Sequence, residues 1–207
     1  NSAPTSPEVF KALIARADYF FAANLPDSAF RYYARSLKTI DAGLTIDNLL
    51  NKVNEAQIAA QLLPRAMAAM EKIAIAIVSA GDVSTERLAT GLSMLEATLE
   101  YTRYNTSYGL PEEQVIPDRI TNFHLLTEYA LGASHHLYQQ TSDKAYWVKA
   151  LQLIENDKLM RIRKEAAEAM FLNKVGLPDS LESTFDVLNK EILHRIDELE
   201  LSTTPKG

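Results

Sequence analysis

The hydrophobic and polar positions along this chain recur with the period of a helix. No stretch sustains the two-residue alternation of a half-buried strand, glycine is scarce, and proline recurs at separations typical of helix boundaries. We therefore predict an all-α fold of about eight helices. They cover approximately residues 7–23, 26–42, 46–80 in one or two pieces, 84–108, 117–140, 142–173 and 178–201.

Boundary residues support the first two helices. Ser6 is predicted to be the N-cap of the first helix, and Pro7 occupies the first helical position, where a missing N–H is harmless. The second helix is predicted to start at Pro26 and to close near Ala42, because Gly43 can adopt the left-handed conformation of a helix cap. The short break between the two helices predicts a helical hairpin.

Pro64 divides the apolar segment 46–80, and it either opens a new helix or kinks one long helix. The apolar residues of this segment surround much of the helix circumference, so we expect it to be mostly buried. Helices of this length joined by short breaks predict hairpins stacked as an α-solenoid or a curved bundle. We expect one domain over residues 1–201, followed by a polar tail over 202–207.

The first hairpin, within residues 1–43, resembles a tetratricopeptide repeat. Its second helix contains Ala29-Phe30-Arg31-Tyr32-Tyr33-Ala34-Arg35-Ser36-Leu37, which is close to the A-x-x-Y-Y-x-x-A-L pattern of the family. Small residues suit a close helix crossing, and Tyr33 would fill the space between the helices. Arg16 departs from the pattern, since a leucine is usual there. The predicted structural residues of the repeat are Phe20, Ala29, Tyr33 and Ser36.

This resemblance implies a concave groove lined by the first helix of each hairpin. The positions that it implies for contact with a bound protein are Lys11, Ile14, Asp18 and Phe21. Repeats that hold the terminal carboxylate of a peptide use Asn and Lys at such positions. Asp18 would repel a carboxylate, so we do not expect that mode of binding.

The carboxyl third carries a second resemblance, over the predicted last hairpin 142–201. The pattern Tyr146-x-x-x-Ala150-Leu151-x-x-x-Glu155-x-x-Lys158-Leu159, followed by Gly176-Leu177-Pro178-Asp179, resembles the segment before the caspase-like peptidase in bacterial CHAT-domain proteins. It implies the repeat region of such a protein, with the peptidase domain itself outside this chain. Glu155 and Lys158 would then form a structural pair, at the three-residue spacing of helix neighbours.

Composition removes several classes of function. The net charge is −6 with both signs interspersed, which gives no basic stripe for a nucleic acid. The absence of cysteine excludes disulfides, thiolate metal sites and cysteine nucleophiles. The most apolar stretch, 73–80, is too short to cross a membrane, and the first residues do not form a signal peptide. The compartment stays open: the cytoplasm is slightly favoured, and a secreted or periplasmic location also tolerates a cysteine-free chain.

Several side chains are candidates for functional sites. His124 and Glu128 share a helix face, but a metal site needs a second converging helix, so solvated or capping histidines are favoured. Arg161 and Arg163 are candidates for a protein-docking patch, with a solvated helix face as the alternative. Aromatic residues at helical spacing could line a groove, but we favour the interpretation that they belong to the hydrophobic core. This aromatic group comprises Tyr101, Tyr104, Tyr108, Phe123, Tyr129, Tyr138, Tyr146 and Trp147.

The leading hypothesis is a non-catalytic module that holds other proteins, with no cofactor and no metal, and with its oligomeric state open. The alternative is a small-ligand sensor or carrier with a cavity between segments 46–80 and 101–138. An enzyme is the third possibility. No pattern in the chain gathers a nucleophile, a base and an orienting group.

Overall fold

The computed structural model describes residues 6–81, 83–108 and 117–174, which form seven α-helices and no β-strand. The predicted all-α fold is confirmed for this part of the chain. The eighth predicted helix and the predicted tail lie outside the described residues, so the number of about eight helices stays a prediction. The helices are α1 Pro7–Ala22, α2 Pro26–Lys38, α3 Ile46–Asn54, α4 Leu63–Val78, α5 Thr85–Tyr108, α6 Pro117–Thr141 and α7 Ala145–Lys174.

Proline marks the start of four helices, one of which is α6 with Pro117 as its first residue. Pro7, Pro26 and Pro64 each occupy the first turn of a helix, where no intrahelical hydrogen bond is lost. Pro64 therefore opens α4 as a separate helix, the first of the two options that the sequence left. Residues 55–62 are turns and bends rather than helix.

Helices α1 and α3 end in left-handed caps that contain no glycine. The backbone of Asn24 after α1 has φ 57°, and that of Ala56 after α3 has φ 52°. In each case the next amide closes a six-residue cap: Leu25 N donates to the Phe20 carbonyl at 2.9 Å, and Gln57 N donates to the Lys52 carbonyl at 2.9 Å. A hydrogen-bonded cap thus ends α1 on an asparagine, which tolerates the left-handed region, and α3 on an alanine, which resists it.

Two predicted boundaries are wrong by about one turn. The second helix ends at Lys38 and not near Ala42, because the Thr39 hydroxyl donates to the Ser36 carbonyl at 2.7 Å as the chain turns away. The last described helix begins at Ala145, not at Ser142, whose φ of 58° is incompatible with a right-handed helix. The Ala145 amide donates to the Asp143 carboxylate at 2.9 Å.

Helix α4 is the centre of the packing, because it contacts α1, α2, α3, α5 and α6. A Cβ atom built on Gly91 of α5 would lie 2.8 Å from Ile77 Cγ2, so only glycine allows these two helices to approach so closely. The fully or almost fully buried residues of α4 are Ala66, Met67, Ala69, Met70, Ile73, Ala74, Ala76 and Ile77.

The chain divides into two compact units, Asn1–Leu153 and Ile154–Gly207, and α7 contributes residues to both. The first unit contains α1 to α6 and the opening turns of α7. In the second unit the described residues are 154–174, all of them in α7. None of the helices in the described part of the chain is long and apolar enough to cross a membrane.

Candidate functional site

The first hairpin holds Asp18 between two partners. The Tyr33 hydroxyl donates a hydrogen bond to Asp18 Oδ1 at 2.8 Å, and Lys72 Nζ lies 3.8 Å from Asp18 Oδ2. This small network joins α1, α2 and α4. Of the other three positions implied for a concave groove, Lys11 is exposed, while Ile14 and Phe21 are half-buried. Asp18 is therefore a link between helices as well as a half-exposed groove candidate.

Burial shifts the acid–base equilibria around this network. The pKa of Tyr33 is raised well above its ordinary range, first by burial and then by its hydrogen bond to Asp18. Burial also raises the pKa of Glu71, and the Asp18 charge adds to that effect while Lys72 opposes it. The protonated forms of Tyr33 and Glu71 are thus each stabilised relative to the free side chains.

The predicted repeat residues lie where the hairpin helices meet. Ala29 and Ser36 are completely buried, and Tyr33 is almost completely buried. The Ser36 hydroxyl donates to the Tyr33 carbonyl at 2.7 Å, which satisfies a polar group in the crossing. Phe20, by contrast, is half-buried and stacks on Tyr32 with ring centroids 5.3 Å apart.

Two arginines lie over this stacked pair of rings. The guanidinium carbon of Arg16 is 5.1 Å from the Phe20 ring centroid and 6.0 Å from that of Tyr32. The guanidinium carbon of Arg35 is 5.3 Å from the Tyr32 centroid. Arg16, which departs from the repeat pattern in the sequence, therefore belongs to an exposed cation–π arrangement.

The opening turns of α7 expose large apolar side chains. Trp147, Val148 and Leu151 are 49%, 55% and 59% exposed, and they fall within five residues. The interpretation of the aromatic residues as core holds for Phe123, which is buried, and is wrong for Trp147. Sequence reasoning missed this surface because helical spacing does not tell which side of a helix faces solvent.

Polar and aromatic contacts fix these turns of α7 on the first unit. Lys149 Nζ lies 2.7 Å from both carboxylate oxygens of Glu96 in α5, and this ion pair is partly buried. The Trp147 ring meets the Tyr138 ring of α6 edge to face, with centroids 5.4 Å apart. The exposed apolar residues therefore lie on an anchored helix, which lowers the entropy lost when a partner binds.

In the second unit, Arg161 Nε lies 3.3 Å from Asp157 Oδ2, and Asp157 is buried while Arg161 is exposed. Lys158 and Glu155 pair at 3.1 Å with both side chains more than half exposed. Such an exposed pair contributes a few tenths of a kcal/mol, so its structural role is small. The Arg163 side chain lies outside the described residues, so the predicted patch of Arg161 and Arg163 stays a prediction.

Among the open clefts of the first unit are two that border the end of α4. One, of about 550 Å³, lies between α2, the end of α4 and the start of α5, and Arg87 covers the Phe30 ring there at 4.6 Å. The other, of about 520 Å³, lies between the end of α4 and α6, within the region suggested for a ligand cavity. Its lining includes Val78, Leu125, Glu128, Tyr129, His135 and His136.

The histidines form no metal site in the described part of the chain, where no group of three potential ligands converges. His124 Nε2 lies 3.5 Å from Glu128 Oε1, and both side chains are more than half exposed. The predicted shared helix face is therefore present as a solvated pair.

Comparison with known proteins found no match: no protein-family model, no curated protein and no solved structure matches this chain. The tetratricopeptide and CHAT-associated resemblances therefore stay predictions.

Proposed function

We propose that this chain is a non-catalytic interaction module that binds a protein partner through the opening turns of α7. The observation that carries the proposal is the cluster of exposed apolar side chains at Trp147, Val148 and Leu151. A large apolar surface on a fixed helix favours association with another protein, and tryptophan is enriched among the residues that dominate binding energy.

The proposed architecture behind this role is a stack of helical hairpins of the tetratricopeptide type. The contact of α4 with helices before and after it supports such a stack, because each hairpin of a solenoid packs on its neighbours. The proposed parent is a protein in which this region accompanies a caspase-like peptidase domain. The pattern from Tyr146 to Leu159, which carries that resemblance, overlaps the exposed residues of α7.

The test begins with the coding sequence of the parent protein. If a caspase-like domain follows, it is expressed separately, and its affinity for this chain is measured by isothermal titration calorimetry. Trp147→Ala combined with Leu151→Ala should weaken binding by at least about tenfold, because truncation of a central aromatic anchor costs roughly 2 kcal/mol or more. The charge reversal Arg161→Glu with Arg163→Glu tests the predicted basic patch in the same assay.

Leu125→Ala is the matched control, since Leu125 is an exposed leucine of α6 with 47% of its surface accessible. It should leave the affinity unchanged. Equal affinity of the α7 variant and the unaltered chain, with helicity intact by circular dichroism, would reject the proposed docking surface.

The alternative function, a small-ligand sensor or carrier, is supported by the cleft between α4 and α6. A ligand that binds only the folded chain must raise its melting temperature by mass action. A thermal-shift screen of metabolites tests this alternative, and Leu125→Glu serves as the variant that alters the cleft lining. If the chain is a sensor or carrier, at least one compound should raise the melting temperature of the unaltered chain but not that of Leu125→Glu.

A further inference from the structure

We propose that the outer side of the α1–α2 hairpin binds an acidic segment of a partner protein. The surface concerned, called the arginine–aromatic surface below, is separate from the proposed docking residues of α7, and its test does not depend on them. It consists of Arg16, Phe20, Arg31, Tyr32, Arg35 and Lys38.

Charge is distributed unevenly along the chain. The segment from Pro7 to Lys38 contains five basic and three acidic residues, so its net charge is positive. The whole chain, by contrast, has a net charge of −6. Of the three acids, Asp18 is bonded to Tyr33, Glu8 accepts from the Ser6 hydroxyl, and Asp27 lies in the first turn of α2. The hairpin is therefore locally positive on an acidic protein, which attracts acidic partners to this end of the chain.

The exposed face of α2 concentrates this charge. Arg31, Arg35 and Lys38 follow one another at spacings of four and three residues, so they share one side of the helix, and all three are exposed. Together with Arg16 they make four cations. In the part of the chain that the structure describes, none of the four is paired with a carboxylate.

The stacked rings organise two of the arginines. A guanidinium group that lies on an aromatic ring keeps its N–H donors directed outward in the plane of the group, where they match the two oxygens of a carboxylate. Arg16 and Arg35 both contact the Phe20–Tyr32 pair, so part of their rotamer freedom is already lost before binding. The surface is thus prepared for planar, paired recognition of Asp or Glu side chains.

A short acidic protein segment fits better than a nucleic acid. Single strands bind by stacking bases on open aromatic faces, but Phe20 and Tyr32 stack on each other and already carry the two guanidinium groups. A long polyanion would also run beyond the hairpin onto the rest of the chain, whose net charge is negative. A short segment can be neutralised by the hairpin alone.

The full chain is titrated against three fluorescent probes: a polyglutamate peptide, a single-stranded DNA oligonucleotide, and vesicles containing phosphatidylserine. We expect binding of the peptide in preference to the other two, and weakening as salt is added. Arg16→Glu with Arg35→Glu should lower peptide affinity at least about tenfold, the loss expected when one charge-assisted hydrogen bond is removed. Arg16→Lys with Arg35→Lys keeps the charge and removes the planar fork, so a smaller loss of about threefold is expected.

Lys144→Glu with Lys158→Glu is the control, because it makes the same change in net charge at two exposed lysines outside the hairpin. It should bind the peptide as the unaltered chain does. Circular dichroism verifies that each variant remains folded, and the Lys variants keep the test valid if the Glu variants unfold. The proposal is overturned by no peptide binding, by an equal loss in the control, or by tighter binding of DNA or vesicles.

Discussion

Helix α4 and the opening turns of α7 are both rich in apolar residues, yet these residues differ in how much of their surface is exposed. Eight residues of α4 are buried, whereas Trp147, Val148 and Leu151 of α7 remain about half exposed. Alanines alternate with large residues in α4, so neighbouring helices can approach it from several sides. In α7 the polar pair of Lys149 and Glu96 holds the opening turns in place, while Trp147, Val148 and Leu151 remain on the solvent side and Leu153 is buried. Burial is therefore decided by neighbours more than by hydrophobicity.

The largest expected effect comes from removing volume at the centre of α4. Ile73→Ala should lower the free energy of unfolding by about 2–5 kcal/mol, because Ile73 is completely buried and its surroundings cannot collapse fully into the cavity. Urea denaturation followed by circular dichroism measures the change. Ile75→Ala, at a half-buried position of the same helix, is the control and should cost clearly less. Equal losses would mean that α4 is not packed from several sides.

The contact between α4 and α5 should be the next most sensitive. Gly91→Ala is expected to destabilise the chain by about 1–3 kcal/mol, because its new methyl group would clash with Ile77 and force the helices apart. Gly132→Ala is the matched change on α6, where a methyl group meets no atom within 4 Å. Since alanine favours a helix over glycine, it should stabilise by roughly 0.5–1 kcal/mol. If Gly91→Ala and Gly132→Ala change the melting temperature in the same direction, the expected difference between these two positions is contradicted.

A smaller effect is expected from Glu71, the half-buried carboxyl of α4. Burial raises the pKa of Glu71 above the usual value of 4.5, and Asp18 adds to this while Lys72 opposes it. The folded state then holds its proton more strongly than the unfolded state, so stability falls as the pH rises from about 4.5 through the folded pKa.

Glu71→Gln should therefore raise stability at neutral pH and flatten this part of the pH profile. Urea midpoints measured from acidic to neutral pH provide the test. A variant that is less stable at neutral pH, with the same slope as the parent chain, would show that the Glu71 charge contributes favourably.

The smallest effect should come from α7. Leu151→Ser is expected to change the free energy of unfolding by no more than about 0.5 kcal/mol, because more than half of this side chain already faces solvent. Thermal denaturation with Leu153→Ser as the buried counterpart tests this, and the second variant should melt at a clearly lower temperature. A large loss for Leu151→Ser would mean that this surface is covered within the chain.

Much of the fold was predictable because local chemistry specifies it. Pro7, Pro26 and Pro64 mark helix starts whatever lies around them, and the apolar circumference of α4 predicts its burial. The helix ends were harder. Ala56 adopts a left-handed conformation that alanine disfavours, so residues 55–62 gave no signal of a break.

The candidate surfaces were less predictable, because their partners are distant in the sequence. The sequence singled out Asp18 and Tyr33 but could not show that they bond to each other or that Lys72 approaches them. Arg16 could be recognised only as a departure from a repeat pattern. Its contact with the Phe20 and Tyr32 rings depends on how two helices cross, which single-sequence periodicity does not determine.

Trp147 is the only tryptophan of the chain, and it lies half exposed against Tyr138 at the junction of α6 and α7. Its emission consequently reports that junction and not the interior around α4. A shift of the emission maximum to shorter wavelength on addition of a protein would show that water has been excluded from the indole ring, and no added label is needed. During unfolding, the fluorescence trace follows the release of α7 from α6 while circular dichroism follows all the helices, so coincident curves would establish one cooperative transition for the two regions.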